Sequence, residues 1–245
     1  MSYKDELYKA YVNTHIRHRK KAGDLDDFAQ RARAYQRTFG AFIPSDKAAK
    51  IMDLGCGPGS IVWWLRDRGY GNVAGIDISQ EQVNVARDLG LDSVVQGDIF
   101  DFLRMEGAEY DVLFARDVLE HLDKEAAYQF VKLSQARLKT GGRLILQVPN
   151  AESPYFGRVR YGDFTHELAF TASSITQLLG AVGFQRIEVH PWRPAITGLR
   201  SLMRYFAWRL IEPILKMPIY VESGRSNGIV TMNLIAIAKK LDTNK

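Results

Sequence analysis

The sequence predicts an α/β fold, a mostly parallel seven-stranded sheet with helices on both faces, and two observations carry that prediction. Between residues 50 and 190, short runs rich in valine, isoleucine and leucine alternate with stretches whose apolar residues recur at helical spacing. One of these runs, "IMDLGCGPGS" at 51–60, passes directly into three glycines within five positions, the pattern of a ligand-holding loop at the carboxyl end of a parallel strand. The 245 residues, 46% hydrophobic and 25% charged, suit one large globular domain with a sizeable core.

In chain order, Leu25, Phe28, Ala32, Tyr35, Phe39 and Phe42 mark a helix over 25–42, with Asp24 as its expected N-cap and Pro44 beyond its end. "KIMDL", "NVAGID", "SVVQ", "YDVLFA" and "GGRLILQVP" read as the first five strands, with helices between them including one over 123–139. A helix over 173–182, a sixth strand "QRIEV" and a long last strand "GIVTMNLIAIAKK" complete the set. A single domain over 1–245 is therefore expected, in three parts. Residues 1–48 form an N-terminal helical cap, 49–190 with 228–240 the core, and 191–227 an amphipathic insertion before the last strand.

The glycine loop does not match the common phosphate binders. A dinucleotide loop wants a third glycine where this chain has Ser60, and no Gly-Lys-Ser/Thr follows for a nucleoside triphosphate. Two acids sharpen the reading. Asp77 ends the second strand in "GIDIS", placed to accept hydrogen bonds from both hydroxyls of a ribose. Asp98 follows the third strand in "QGDIF", placed for an adenine amino group with Ile99 beside the ring.

Together "DLGCGPGS", "GIDIS", "QGDIF" and "YDVLFARDVLEHL" resemble, in order, the motifs of class I S-adenosylmethionine-dependent methyltransferases. The resemblance implies a Rossmann-like core over roughly 50–190 plus the last strand, and S-adenosyl-L-methionine as cofactor. It implies that Gly55, Gly57 and Gly59 line the methionine portion, with Asp53, Cys56 and Ile78 among the cofactor-binding positions. Asp77 would hold the ribose, Asp98 and Ile99 the adenine, and Arg116 would lie beside the cofactor's centre.

The acceptor is read from two segments. "ARDV" replaces the Asn/Asp-Pro-Pro-aromatic signature of amino-group methyltransferases, and the only cysteine, Cys56, sits in the cofactor loop. The stretch 148–171 clusters Arg158, Arg160, Tyr161, Asp163, His166 and Glu167 after the fifth strand. Its "RYGDFTHE" followed by "AFT" resembles methyltransferases of sugars and bacterial surface polysaccharides. The resulting expectation is O-methylation of a sugar, glycan or lipid-linked glycan. Arg158, Arg160, Tyr161 and Glu167 would bind substrate, and His166 would be the base, oriented by Asp163 or Glu167, with Asp163 and His121 as further catalytic candidates. The rivals are a quinone- or phenol-type O-methyltransferase and a cofactor-binding partner protein without turnover. No metal is expected: Asp117, Glu120 and His121 in "RDVLEHL" form an oxygen-rich set at i, i+3, i+4, but the segment is read as local packing.

Charge adds partner expectations. The net charge is +5, with a basic run "HIRHRKK" at 15–21 that lacks the interleaved aromatics of a single-strand binding surface, so no nucleic-acid partner is expected. Residues 196–216 place Leu199, Leu202, Met203, Phe206, Leu210 and Ile214 on one helical face beside Arg200, Arg204 and Arg209. That pattern suits peripheral contact with an anionic membrane. The first residues lack the apolar segment of a secretion leader, which with the single cysteine favours the cytoplasm, at the inner face of the membrane if the helix docks there. The sequence does not specify an oligomeric state.

Overall fold

The computed structural model describes residues 7, 25–194, 196, 198–225 and 228–242. Asp24, His15, His18 and the basic run at 15–21 lie outside the described residues. From Leu25 onward the order is α1 (Leu25–Phe39), β1 (Ile51–Leu54), α2 (Ser60–Asp67), β2 (Val73–Asp77), α3 (Gln80–Asp88), β3 (Val94–Gln96), α4 (Ile99–Arg104) and β4 (Tyr110–Arg116). Then follow α5 (Lys124–Arg137), β5 (Leu138–Pro149), α6 (Phe156–Arg160), α7 (Ala172–Ala181), β6 (Gln185–Pro191), α8 (Leu199–Ser223) and β7 (Asn233–Lys239).

The seven strands are ordered β3-β2-β1-β4-β5-β7-β6, and only β7 runs antiparallel to its neighbours. The chain reverses its direction of travel across the sheet between β1 and β4. The crevice where such a sheet binds ligands opens beyond the carboxyl ends of those two strands. β1 is buried along its whole length, as a central parallel strand covered on both faces must be. One core packs α1 and α2 against the sheet through Phe28, Tyr35, Phe39 and Trp64, and the other packs α5 and α7 through Phe130, Ile175 and Leu179.

Several boundaries follow from local hydrogen bonding. Asp123 caps α5 by accepting from Ala126 N at 2.7 Å, and Thr171 forms a capping box with Ser174 at α7. The last strand is shorter than its apolar run. Asn150 Nδ2 donates to Ile229 O at 2.6 Å and Thr231 O at 2.7 Å, which holds 229–231 out of the ladder. The insertion carries one helix that continues past residue 216 to Ser223, with Pro213 and Pro218 inside it.

Candidate functional site

The turn after β1 lies at the reversal point, and its three glycines serve different ends. All have positive φ, at 70°, 54° and 82° for Gly55, Gly57 and Gly59. A Cβ on Gly55 would come within 2.6 Å of Val118 Cγ2, and one on Gly59 within 2.8 Å of Leu91 Cδ1, so these two let the loop pack on the body. At Gly57 the nearest atom would be Gln82 Oε1 at 3.8 Å. Gly57 is thus the glycine of the three that close packing does not demand.

Two acids border this loop. Asp77 accepts from Gly57 N at 2.7 Å through Oδ2 and from Ser79 N at 2.9 Å through Oδ1, so it ties β2 to the glycine turn. Each oxygen retains a further lone pair for a ribose hydroxyl. Burial raises its carboxyl above the ordinary carboxylate range, against the pull of those two donors. Asp53 is buried at the centre of β1, and its Oδ1 has no hydrogen-bond partner among the described residues. Burial pushes its pKa up to about 7, with the Arg116 charge opposing and Asp77 adding to the rise.

Arg116, at the end of β4, donates a hydrogen bond to Tyr35 Oη and lies over the Tyr35 ring at 5.3 Å. Tyr35 in turn meets Ser60 Oγ at 3.0 Å. Burial works against the guanidinium charge, but Tyr35, Asp117 and Asp53 outweigh it and hold Arg116 charged. Tyr35 and Ser60 were not legible as site residues. Tyr35 occupies an apolar position of α1, and its only polar signal is the hydroxyl at the end of the ring.

The remaining cofactor positions divide. Asp98 caps α4, its Oδ1 accepting from Phe100 N at 2.8 Å and Asp101 N at 3.0 Å, and Ile99 opens that helix. Ile78 is exposed beside Asp77. Cys56 is a correction: its side chain is buried in the core under β2, where a Cβ on Gly75 would meet Sγ at 2.6 Å. It offers the pocket only its backbone.

The residues present fit S-adenosylmethionine. The methionine ammonium matches the Asp53 carboxylate, whose Oδ1 has no partner among the described residues, and its carboxylate matches Arg116 and the side-chain-uncapped N-terminus of α2.

The acceptor loop folds onto the turn after β4. Glu167 N and Leu168 N both donate to Glu120 O, at 2.6 and 3.1 Å, which fastens 163–168 to the short helical turn Leu119–His121. Two histidines meet there, their ring centroids 4.7 Å apart and edge to face. His166 Nδ1 donates to Val159 O at 3.0 Å. Thr165 Oγ1 donates to Asp163 Oδ1 at 2.7 Å and so accepts from His121 Nδ1, also at 2.7 Å. Both rings therefore carry a proton on Nδ1, so that in the neutral imidazole the lone pair falls on Nε2. This corrects the expected pairing: Asp163 orients His121 through Thr165, and the Val159 carbonyl orients His166. Burial lowers the His166 pKa, with Asp163 opposing.

Other expected roles change as well. Arg160 is no free clamp, because its guanidinium donates to His166 O and, at 2.9 Å, to Glu167 O, bracing the loop from within. Arg158 is exposed, as are the expected Tyr161 at 76% and, beside it, Phe164 at 82%, which the sequence reading did not single out. Asp117 turns away at φ 58°, its Oδ1 taken by Gln147 Nε2 at 2.7 Å, so the i, i+3, i+4 set does not assemble. Glu120, His121 and His166 do assemble, with donor atoms within 4.8 Å of one another, so that His166 takes the place of Asp117 in the sequence-spaced set. Glu120 Oε2 is buried and has no hydrogen-bond partner among the described residues, and burial with the nearby Asp117 pushes its carboxyl well above the ordinary range.

A reversed parallel sheet with this loop and these acids defines a class I S-adenosylmethionine-dependent methyltransferase. Residues 17–189 match the family model described as "Methyltransferase domain", and the chain belongs to that family. It is 36% identical over 107 residues to a ubiquinone biosynthesis O-methyltransferase of Xylella fastidiosa, a match covering 42% of each chain. The match thus spans less than half the length of that relative. It is 27% identical over 183 residues to a malonyl-[acyl-carrier protein] O-methyltransferase of Enterobacter lignolyticus, covering 70% of each. Among solved structures it resembles a SAM-dependent methyltransferase of Archaeoglobus fulgidus with TM-score 0.64 at 20% identity, covering 90% of this chain and all of that one. It also resembles a Haemonchus contortus phosphoethanolamine N-methyltransferase 2 in complex with S-adenosyl-L-methionine, with TM-score 0.59 at 16% identity, covering 96% of this chain and 60% of that one.

Proposed function

We propose that this methyltransferase acts on oxygen, at a ring hydroxyl of a phenol- or quinone-type small molecule. The observation that carries the reading is the His121–His166 pair, held on the turn after β4 at the edge where the cofactor loop opens. The O-methyltransferase names of both curated relatives support oxygen, and the ubiquinone name supports the ring acceptor. Neither is named for a sugar, and the exposed Tyr161 and Phe164 suit stacking on a flat ring. The sugar acceptor expected from "RYGDFTHE" therefore becomes the less favoured reading.

When bound, S-adenosylmethionine supplies a sulfonium methyl group that leaves by in-line displacement. The protein's part is to position the acceptor and receive its proton. A phenolic hydroxyl with a pKa of ~10 is mostly protonated at neutral pH, and a neutral imidazole that accepts its proton as the O–C bond forms contributes ~10²–10⁴-fold. The Nε2 lone pairs of His121 and His166 are the acceptors, each ring fixed by its Nδ1–H bond. Release of S-adenosylhomocysteine should be measured with catechol and hydroquinone acceptors beside sugar nucleotides. Turnover with the ring hydroxyls supports the proposal, and turnover confined to sugars overturns it.

A second reading has its own observation. The unpartnered Glu120 Oε2 with the two histidines is a donor set suited to a divalent cation, which would polarise the hydroxyl instead.

A further inference from the structure

The helix α8 presents its apolar face away from the body. Leu199, Met203, Phe206, Leu210, Ile214 and Val221 follow one another at intervals of three, four or seven residues, which places them on one stripe, and every one is exposed, Leu210 at 74%. The opposite face carries Glu212, the helix's one buried residue, which bonds Arg193 and Lys216 at 3.0 Å each. A surface helix ordinarily has these faces the other way round.

From this we infer that α8 is a docking surface for an anionic lipid membrane, lying in the plane of the interface. Charge selects this occupant. Arg200 and Arg204 flank the stripe on one side and Arg209 on the other, all exposed and without an ion pair among the described residues. Of the two acids on the helix, Glu212 is neutralised inward and Glu222 lies at the far end. A second copy docked face to face would bring these arginines against their own counterparts with little negative charge to meet them. Anionic headgroups take the arginines while the stripe enters the acyl boundary. No helix among the described residues is long and apolar enough to cross a membrane, which leaves surface docking.

The placement gives the contact a use. β6 ends at Pro191 and β7 begins at Asn233, opposite Pro149 at the end of β5, so α8 leaves and rejoins the sheet at the edge that carries the cofactor loop. Docking brings that edge toward the membrane, where an amphiphilic acceptor resides. The inference stands whichever hydroxyl is methylated.

Co-sedimentation of the full chain with phosphatidylcholine vesicles, with and without phosphatidylglycerol, tests this. Binding should require phosphatidylglycerol and weaken at high salt. Leu210→Glu/Ile214→Glu and, separately, Arg204→Glu/Arg209→Glu should each lower the bound fraction about tenfold or more. Circular dichroism and S-adenosylmethionine affinity should stay unchanged, because these side chains are exposed. Three outcomes would overturn the proposal: no vesicle binding, equal binding to neutral vesicles, or a light-scattering dimer that Leu210→Glu/Ile214→Glu dissociates in a chain that binds no lipid.

Discussion

His121 and His166, forty-five residues apart in the chain, meet edge to face with ring centroids at 4.7 Å. His121 hangs from Thr165 and His166 from the Val159 carbonyl. If the pair receives the acceptor's proton, His166→Ala and His121→Ala should each lower kcat by about 10²-fold or more while S-adenosylmethionine affinity stays near normal. Steady-state kinetics with calorimetry checks this. A raised KM at unchanged kcat would leave that histidine a binding role only.

Asp163 reaches His121 through the Thr165 hydroxyl. Thr165→Val keeps the volume and removes the link, leaving a buried Asp163 oxygen one donor short. It should lower kcat about tenfold or more and cost about 1–3 kcal/mol of stability. Thr165→Ser should restore most of both, which denaturant titration and kinetics on the pair of variants will report.

Chelation separates the two readings of Glu120, His121 and His166. Under proton transfer, dialysis against a chelator leaves turnover unchanged. Loss of turnover that returns with a divalent cation assigns the cluster to the metal.

The fold was legible because its signals are local. Apolar runs of strand length, turn glycines and the order of Asp53, Asp77 and Asp98 each sit within a few residues of the structure they specify. Much of the site around the glycine loop and the acceptor loop was not, because its bonds are long-range. Glu167 N to Glu120 O joins segments 47 apart, and Arg116 to Tyr35 joins segments 81 apart, and neither pairing leaves a periodic trace. Arg160 misled for a related reason. A guanidinium in a loop reads as a ligand clamp until the loop is seen to curl its own carbonyls toward it. Asp117 was assigned by helical spacing in a segment that is not an α-helix.

Asp77 holds the glycine turn through Gly57 N and Ser79 N, and it is also the residue proposed to take the ribose hydroxyls. Asp77→Ala should therefore do two things. It weakens S-adenosylmethionine binding roughly tenfold or more, and it destabilises the fold by about 1–3 kcal/mol, because two backbone donors lose their acceptor. Calorimetry and thermal melts measure the two effects, and a variant with normal affinity would remove Asp77 from the cofactor site.

Asp53 makes one distinct contribution to the pH dependence. Its carboxyl rises from an unfolded value near 4 to about 7 when buried. Between those values the folded state binds the extra proton, so this residue makes stability fall as pH rises from about 4 to about 7, then stay level. Asp53→Asn removes that penalty and should stabilise the ligand-free protein at pH ~8 by roughly 2–4 kcal/mol, with little change at pH ~4. The ligand dependence has the opposite sign. A charged Asp53 is what an ammonium group requires, so S-adenosylmethionine affinity should fall as pH drops through about 7. In Asp53→Asn it should be lower at pH ~8 and lose that slope. Melting curves and isothermal calorimetry across this range test both signs, and an affinity that stays flat in the unmodified protein would sever Asp53 from the ammonium.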